Sequence, residues 1–184
     1  MSDGPMVVVG VTGSIAAHKA VDLVSQLTKE GCRVHVVLTA SAQRFVTPLP
    51  FRTLSRNPVI TDLFEDPAEW KPAHIRLADE TRLLLIAPAT ARKIAQLALG
   101  LADDALSCLA LALNPKARLL IAPAMNGKMW QHPATQQNVA LLRSRGAEFI
   151  GPEEGLLSCG YEGVGRMWKV EEIVARALAL VRTS

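Results

Sequence analysis

The sequence predicts a doubly wound, three-layer α/β domain built on a parallel sheet. Short apolar runs rich in β-branched residues alternate about five times with stretches of helical periodicity. The clearest of the apolar runs are hydrophobic at nearly every position, which is typical of strands covered on both faces. Hydrophobic residues make up 49% of the 184 residues but aromatic residues only 4%, so the core must be aliphatic. We therefore expect residues 1–184 to form one domain of the Rossmann-like or flavodoxin-like kind.

The amino-terminal part of the chain predicts a βαβ unit. Residues Met6–Val11 are all apolar apart from a glycine, which favours a strand buried on both faces. Residues 15–30 carry apolar side chains at helical spacing and predict the crossover helix. A second strand is predicted at Arg33–Leu38. The crossover between the two parallel strands should be right-handed.

The rest of the chain is interpreted in the same way. A strand at residues 58–61 is short and weakly marked, and the polar, proline-containing segment 62–72 predicts a loop. Further strands are predicted at residues 82–87, 118–122 and 148–150. Helices are predicted from residue 91 to 99 and over residues 103–113, 133–145 and 170–181.

Charge and cysteine content exclude several classes of protein. The net charge of +3 is small and the basic residues are scattered, which argues against nucleic-acid binding but suits a phosphorylated small ligand. The cysteines, Cys32, Cys108 and Cys159, form no CxxC pair and no metal-binding spacing with histidine, so no metal site is predicted. Their odd number favours a reducing cytoplasm. Without a signal-peptide pattern or a membrane-spanning apolar stretch, a cytoplasmic protein is expected.

Three of the predicted strands end in small hydroxyl and amide residues, at positions 12–14, 88–90 and 123–126. Ligands of doubly wound sheets bind beyond the carboxyl ends of the strands, so these segments predict one shared site. The first segment lacks the GxGxxG and GK[ST] patterns, which disfavours an ordinary dinucleotide or ATP site. Two interpretations remain for it: an anion-binding turn with Ser14 as a donor, and a tight turn with Ser14 as an N-cap.

The other candidate residues also have two interpretations each. Thr39 and Ser41 follow the second strand, either as ligand-binding hydroxyls or as helix caps. His74 follows a predicted loop and is either a base or a surface histidine. Asn126 and Met129 lie at a strand exit. The amide of Asn126 can hydrogen-bond to a carboxylate, and the side chain of Met129 can pack against an apolar ring. The alternative for this segment is a hydrophobic plug beneath a helix start.

Cys159 lies in a glycine-rich segment, and residues 152–168 are predicted to form a flexible flap. Glycine disfavours a helix or a central strand there. A loop of this kind can carry a reactive thiol over a pocket and lift it away. A single cysteine is a weak signal of chemistry by itself. Cys108, in contrast, lies in an apolar run that is typical of a buried structural cysteine.

These segments together resemble the flavin-containing cysteine decarboxylases. The matching runs are residues 13–17, 88–91, 123–130 and 158–160, with His74 between them. Their order and spacing agree over nearly the whole chain. The resemblance implies an FMN cofactor that oxidises a cysteine thiol so that the neighbouring carboxylate leaves as CO2, and that then returns a hydride. The implied substrate is 4'-phospho-N-pantothenoylcysteine, converted to 4'-phosphopantetheine in coenzyme A biosynthesis.

The resemblance also implies roles for individual residues. Cys159 is expected to donate a proton in the last step, and His74 to assist oxidation and decarboxylation. Asn126 is expected to hold the substrate carboxylate. The residues expected to contact substrate are Asn126, Met129, Leu156 and Ser158. The residues expected to contact FMN are Thr12, Gly13, Ser14, Thr39, Ser41, Thr90, Ala91 and Ala124.

Two segments depart from the pattern of the family. Arg92 and Lys93 stand where the family commonly has Asn-Thr or an acidic residue, and Arg92 is a candidate for contacting the substrate phosphate. His18 replaces a tyrosine and is expected on the helix exterior or at a subunit contact. The family assembles as trimers or sets of trimers with the FMN site at subunit contacts, so we expect a homo-oligomer. A synthetase that makes the substrate, fused or separate, is a further expected partner.

Two alternatives remain open. A peptide decarboxylase of the lantibiotic type would perform the same chemistry on a carboxy-terminal cysteine. A non-catalytic, FMN-binding regulatory subunit would use the fold without turnover, although the presence of both His74 and Cys159 argues against an inactive copy. A flavin prenyltransferase is disfavoured because it would not need the Cys159 segment.

Overall fold

The structure, a computed structural model, describes residues 4–64, 72–156, 160 and 162–182. Its main sheet contains the strands β1 (Met6–Val11), β2 (Arg33–Leu38), β3 (Val59–Ile60), β4 (Leu83–Ala89), β5 (Arg118–Pro123) and β6 (Glu148–Phe149). All neighbouring strands run parallel, in the order β3-β2-β1-β4-β5-β6. This is the Rossmann order, and the direction of winding reverses between β1 and β4. The predicted fold class is confirmed.

Helices cover both faces of this sheet. They are α1 (Lys19–Lys29), α2 (Pro48–Ser55), α3 (Ala73–Glu80), α4 (Ala91–Leu99), α5 (Ala105–Leu111), α6 (Gly127–Gln131), α7 (Pro133–Ser144) and α8 (Val170–Arg182). Helices α1, α2 and α8 pack on one face, and α3, α4, α5 and α7 pack on the other. Among the described residues, none of the helices has the length and apolar character needed to cross a membrane.

The pleat of the strands divides the core into two layers. On β1, Val7 and Val9 point toward the α1 side, while Met6 and Val8 point toward the α4 side. All four side chains are buried, as is the whole of β4. Burial on both faces explains why these strands are continuous apolar runs in the sequence.

The helices differ from the predictions in three places. The predicted helix over residues 15–30 begins with a 3-10 segment, Ile15–His18, and becomes α-helical only at Lys19. Helices α2 and α3 were not predicted, and His74 lies in the first turn of α3 rather than at a loop exit. Each has only eight residues, too few for a helical period to stand out. Proline at the start of α2 is compatible with a helix because first-turn N–H groups need no intrahelical acceptor.

Two central strands extend further than predicted. β4 continues through Pro88 to Ala89, with an irregular register against β5 between Ile86 and Ala89. β5 continues to Pro123. Proline at the carboxyl end of a strand is tolerated where the ladder is already irregular. The strand ends therefore extend directly into the segments that were predicted to form the site.

A separate antiparallel hairpin follows β6. Its strands are β7 (Glu153–Leu156) and β8 (Glu162–Arg166). The hairpin lies within the predicted flap at 152–168 and forms no part of the main sheet. Ser158 and Cys159, which were predicted to contact substrate and to donate a proton, lie outside the described residues.

Candidate functional site

A cavity of ≈ 380 Å³ lies at the carboxyl edge of the sheet, where the winding reverses between β1 and β4. Such switch points are where doubly wound sheets bind ligands. The cavity is lined by Gly13, Ser14, Ile15, Ala16, His18, Lys19, Thr90, Ala124, Met125, Asn126, Met129, Leu156, Gly165, Arg166 and Met167. The three strand exits that were predicted to converge therefore do so. Met129 and Leu156 join them in the same cavity.

The loops after β1 and β4 are held together by Thr12. Its hydroxyl donates to the carbonyl oxygen of Pro88 at 2.7 Å and accepts from the N–H of Thr90 at 3.1 Å. The side chain is buried and is not among the residues lining the cavity. Thr12 was predicted to contact cofactor, but here its hydroxyl joins two backbone segments and so positions Thr90.

The turn after β1 packs closely on the turn after β2. A Cβ built on Gly13 would lie 2.4 Å from Cβ of Ser41, so only glycine allows this approach. Ser14 accepts from the N–H of Ala16 at 3.4 Å and caps the 3-10 segment. The N-cap interpretation of Ser14 thus holds, while its side chain also lines the cavity.

Three further residues predicted to contact FMN are absent from the lining of this cavity. Thr39 accepts from the N–H of Ala42 at 3.2 Å, which is a capping role. Ser41 is exposed and packs against the turn at Gly13, which itself lines the cavity. Thr39, Ser41 and Ala91 do not line the cavity, whereas Thr90 and Ala124 do. Thr90 also caps α4 by accepting from the N–H of Lys93 at 3.3 Å.

Asn126 is fixed as the N-cap of α6. Its Oδ1 accepts from the N–H of Lys128 at 2.9 Å. Because the donors of an amide are the two N–H groups on Nδ2, any bond from this side chain to a carboxylate would come from Nδ2. Met129, on the same helix, is half exposed at the cavity. The sequence interpretations of a carboxylate-binding amide and of a helix start are thus compatible.

The β7–β8 hairpin is attached next to Asn126. The N–H of Met125 donates to the carbonyl oxygen of Gly165 at 2.9 Å. This bond brings Arg166 and Met167 to the cavity. Leu156 on β7 lines the cavity and is 65% exposed, so a large apolar side chain at the rim remains open to a ligand.

His74 lies in a different cavity. This second cavity, of ≈ 630 Å³, lies between β2, β3 and α3 and is lined by His74 together with His35, Asn57, Asp62 and Arg76 among others. The two cavities have no lining residue in common. Burial lowers the pKa of His74 below its ordinary value, which favours the neutral imidazole. Within one protomer, the structure does not bring His74 to Asn126.

The sequence interpretation missed three residues that line the cavity. His18 and Lys19, at the start of α1, line the cavity, as does Arg166. Arg166 belonged to the predicted flap, but no local pattern showed that its side chain would reach the strand exits. Arg92, the candidate for contacting phosphate, is absent from the lining and is 74% exposed, 3.7 Å from Asp103.

Lys93 forms a buried polar cluster behind Thr90. Its Nζ lies 2.6 Å from Oδ2 of Asp104 and 2.6 Å from Oγ of Ser107. Desolvation lowers the pKa of Lys93, although the hydrogen bond and charge of Asp104 oppose the shift. Burial alone would raise the pKa of Asp104, but the bonds from Lys93 and Ser107 outweigh it and hold that pKa low. The cluster joins the amino termini of α4 and α5.

A doubly wound domain with a mainly apolar cavity at its switch point defines a class of small-ligand-binding α/β proteins. The family model described as Flavoprotein matches residues 1–182, and the chain belongs to this family. The chain is accordingly a flavoprotein. The cavity suits a flavin because Ala124 and Met167 provide apolar surface for a ring. Among the described residues, the charged side chains in its lining are those of Lys19 and Arg166, which suits a phosphate.

Curated relatives include bifunctional proteins and a shorter one. The "Coenzyme A biosynthesis bifunctional protein CoaBC" of Haemophilus influenzae is 46% identical over 171 residues, which cover 93% of this chain but 42% of the relative. The chain thus spans less than half the length of the bifunctional relatives that it matches. The "Probable phosphopantothenoylcysteine decarboxylase" of Streptococcus mutans is 41% identical over 92% of this chain and 95% of its own length.

Solved structures agree with these relatives. A cysteine-to-serine mutant of PPC decarboxylase complexed with pantothenoylaminoethenethiol matches with a TM-score of 0.87 and 29% identity, over 98% of this chain and all of its own. The FMN-binding protein AtHal3 matches with a TM-score of 0.84 and 29% identity over 98% of both chains.

Proposed function

We propose that this chain is an FMN-dependent decarboxylase of 4'-phospho-N-pantothenoylcysteine. The proposal rests on the cavity at the strand ends, which is lined by Thr90 and Ala124, by Asn126 and Met129, and by residues of the β7–β8 hairpin. It is supported by the S. mutans relative, which matches over nearly its full length and is named as a probable phosphopantothenoylcysteine decarboxylase.

In this proposal the residues of the chain orient the substrate and keep water away from the reacting carbon. A bound flavin supplies the two-electron oxidation of the cysteine thiol and the later return of a hydride. Nδ2 of Asn126 donates to the substrate carboxylate and orients the bond that breaks. A neutral donor suits this task because the carboxylate loses its charge as CO2 forms. Met125, Met129 and Leu156 provide apolar surface around the reacting carbon, which reduces its hydration.

His74 and Cys159 move protons in this proposal. Since burial keeps the imidazole of His74 neutral, it acts as the acceptor of the thiol proton. Cys159 donates a proton to carbon in the last step. His74 lines a cavity separate from that of Asn126, so we propose that His74 of one protomer serves the Asn126 cavity of another in a homo-oligomer.

The test starts from freshly purified protein and its absorption spectrum. We expect bound FMN and release of CO2 from 4'-phospho-N-pantothenoylcysteine. The Asn126→Asp variant places a negative charge where the carboxylate binds, so it should stay yellow and lose about 100-fold in turnover. The Asn138→Asp variant is the matched control because Asn138 lies on α7, outside the cavity lining.

The alternatives give different results. CO2 release from a peptide ending in cysteine, without turnover of the phosphorylated substrate, would identify a peptide decarboxylase. Yellow protein that releases CO2 from neither compound would support a non-catalytic flavin-binding protein. A preparation that neither contains FMN nor binds it on reconstitution would contradict the proposal outright.

A further inference from the structure

The described lining of the cavity contains basic side chains but no acidic ones. Its ionisable lining residues are His18, Lys19 and Arg166, and no carboxylate lines it in the described part of the chain. The chain as a whole has 17 acidic residues against 20 Lys and Arg, so a carboxylate-free lining is a local feature. In the described lining the charged side chains are those of Lys19 and Arg166, and two positive charges favour a ligand with several negative charges.

Arg166 is held at the cavity by two contacts. Its neighbour Gly165 accepts from the N–H of Met125, next to Asn126. Its guanidinium also lies over Gly155 on the paired strand, where an added Cβ would be 2.5 Å from Nη1. The first contact attaches the hairpin to the segment after β5 and the second lies within the hairpin, and together they hold Arg166 beside the cavity that it lines.

The charge of Arg166 is only weakly compensated. The nearest carboxylate oxygen, on Glu153, is 4.0 Å from Nη2, too long for a hydrogen bond. The Arg166 side chain is 43% exposed. A guanidinium that lines the cavity and is partly exposed can offer N–H donors to a ligand there, and its planar array of donors matches the oxygens of a phosphate.

Lys19 supplies a second cation from a different element. It is the first residue of α1 and lines the same cavity as Ser14. With the carboxylates that the structure describes, Lys19 forms no ion pair within 4.0 Å, in contrast to Lys93. One cation on α1 and one on β8 thus reach one cavity from independent supports.

The substrate carboxylate is the wrong target for these two cations. A strong ion pair with a carboxylate stabilises the ground state and is lost as neutral CO2 departs, so it would raise the barrier. A phosphate keeps its charge throughout the reaction and can be held by ion pairs without such a cost.

We propose that Arg166, together with Lys19, binds the phosphate of the substrate and so selects a phosphorylated small molecule over a peptide carboxyl terminus. This inference rests on the proposed decarboxylase function. The same pair of cations also suits the phosphate of FMN, and the experiment distinguishes the two sources.

The experiment compares two substrates, 4'-phospho-N-pantothenoylcysteine and N-pantothenoylcysteine, in the flavin-loaded enzyme. For Arg166→Gln we expect KM for the phosphorylated substrate to rise about tenfold or more, since a charge-assisted contact is lost. KM for the unphosphorylated substrate should change less than twofold. Lys19→Gln should act in the same direction. Arg92→Gln and Lys29→Gln are the matched controls, because both residues are exposed and lie outside the cavity.

Binding of FMN and of riboflavin to each apo variant completes the test. One outcome would show that the cations bind the phosphate of the cofactor, and the inference would then be wrong. In that outcome Arg166→Gln weakens FMN binding tenfold, leaves riboflavin binding unchanged and does not change the preference between the two substrates. Equal losses with both substrates would assign Arg166 to the carboxylate and also overturn it. If the wild-type enzyme releases CO2 from neither substrate, the proposed function itself fails.

Discussion

Replacing Lys93 with methionine removes the ammonium from the buried cluster behind Thr90. The Lys93 side chain is 3% exposed and its partner Asp104 is 31% exposed. Methionine fills much of the same space, so the main loss is electrostatic. The carboxylate of Asp104 then keeps its bond from the N–H of Ser107 at 2.8 Å but loses its cation, and Ser107 Oγ loses its bond to Nζ.

The magnitude follows from the unequal burial of the two partners. Removing one partner of a fully buried ion pair costs about 3–5 kcal/mol. Water reaches part of Asp104, so we expect Lys93→Met to lower the free energy of unfolding by about 2–3 kcal/mol. Asp104→Asn keeps the capping acceptor for α5 and leaves a lysine that can deprotonate, so its cost should be about 1–2 kcal/mol. The double variant leaves no unpaired charge and should cost at least 1 kcal/mol less than the sum.

Urea unfolding at a fixed excess of FMN measures these differences, because a ligand of the native state adds to its stability. Arg92→Met is the control, since its contact with Asp103 is exposed and 3.7 Å long, and it should change stability by less than about 0.5 kcal/mol. Because the pKa of Asp104 is lowered in the folded state, the stabilisation is present above its unfolded pKa and is lost as the pH falls through the folded value. The effect of Lys93→Met should shrink accordingly in acid. A coupling free energy near zero, or a Lys93→Met variant as stable as the control, would refute the reasoning.

Two further predictions follow from the second cavity. Subunits of the poorly active His74→Asn and Asn126→Asp variants, when mixed and allowed to exchange, should recover about one quarter of the wild-type activity. The reason is that a quarter of randomly paired sites then contain both native residues. No recovery would mean that both residues act within one protomer. The pKa of His35 is lowered to about 4 by burial and by Arg33 and Arg76, against an opposing effect of Glu80. The unfolded chain therefore takes up the proton first, and the free energy of unfolding should fall as the pH drops from about 6.5 to 4. A His35→Asn variant should show a shallower decline in urea unfolding over that range, and an unchanged slope would contradict the assignment.

The first βαβ unit and the location of the cavity could be predicted from the sequence. β1 is a continuous apolar run because both faces of the sheet are covered there, whereas β2 begins with the exposed Arg33 and becomes continuously apolar only from Val36. The cavity follows from topology, since parallel strands place all their carboxyl ends at one edge. Helices α2 and α3 could not be predicted in this way because eight residues contain little more than two turns.

Individual contacts in the site required the tertiary structure. The sequence contains Lys93 and Asp104 eleven positions apart, and no local pattern shows that α4 and α5 bring them within 2.6 Å. The separation of His74 from Asn126 likewise depends on where α3 packs.

The sequence by itself determined the class of fold, the edge of the sheet that carries the site, and the residue types of the strand exits. The tertiary structure alone decided which side chains enter the cavity. It placed Lys19 and Arg166 in the cavity lining, left Thr39 and Ser41 out of that lining, and placed His74 in a different cavity. The physical reason is that strand and helix patterns record burial along one element, whereas the lining of a cavity depends on the packing of elements that are far apart in the chain.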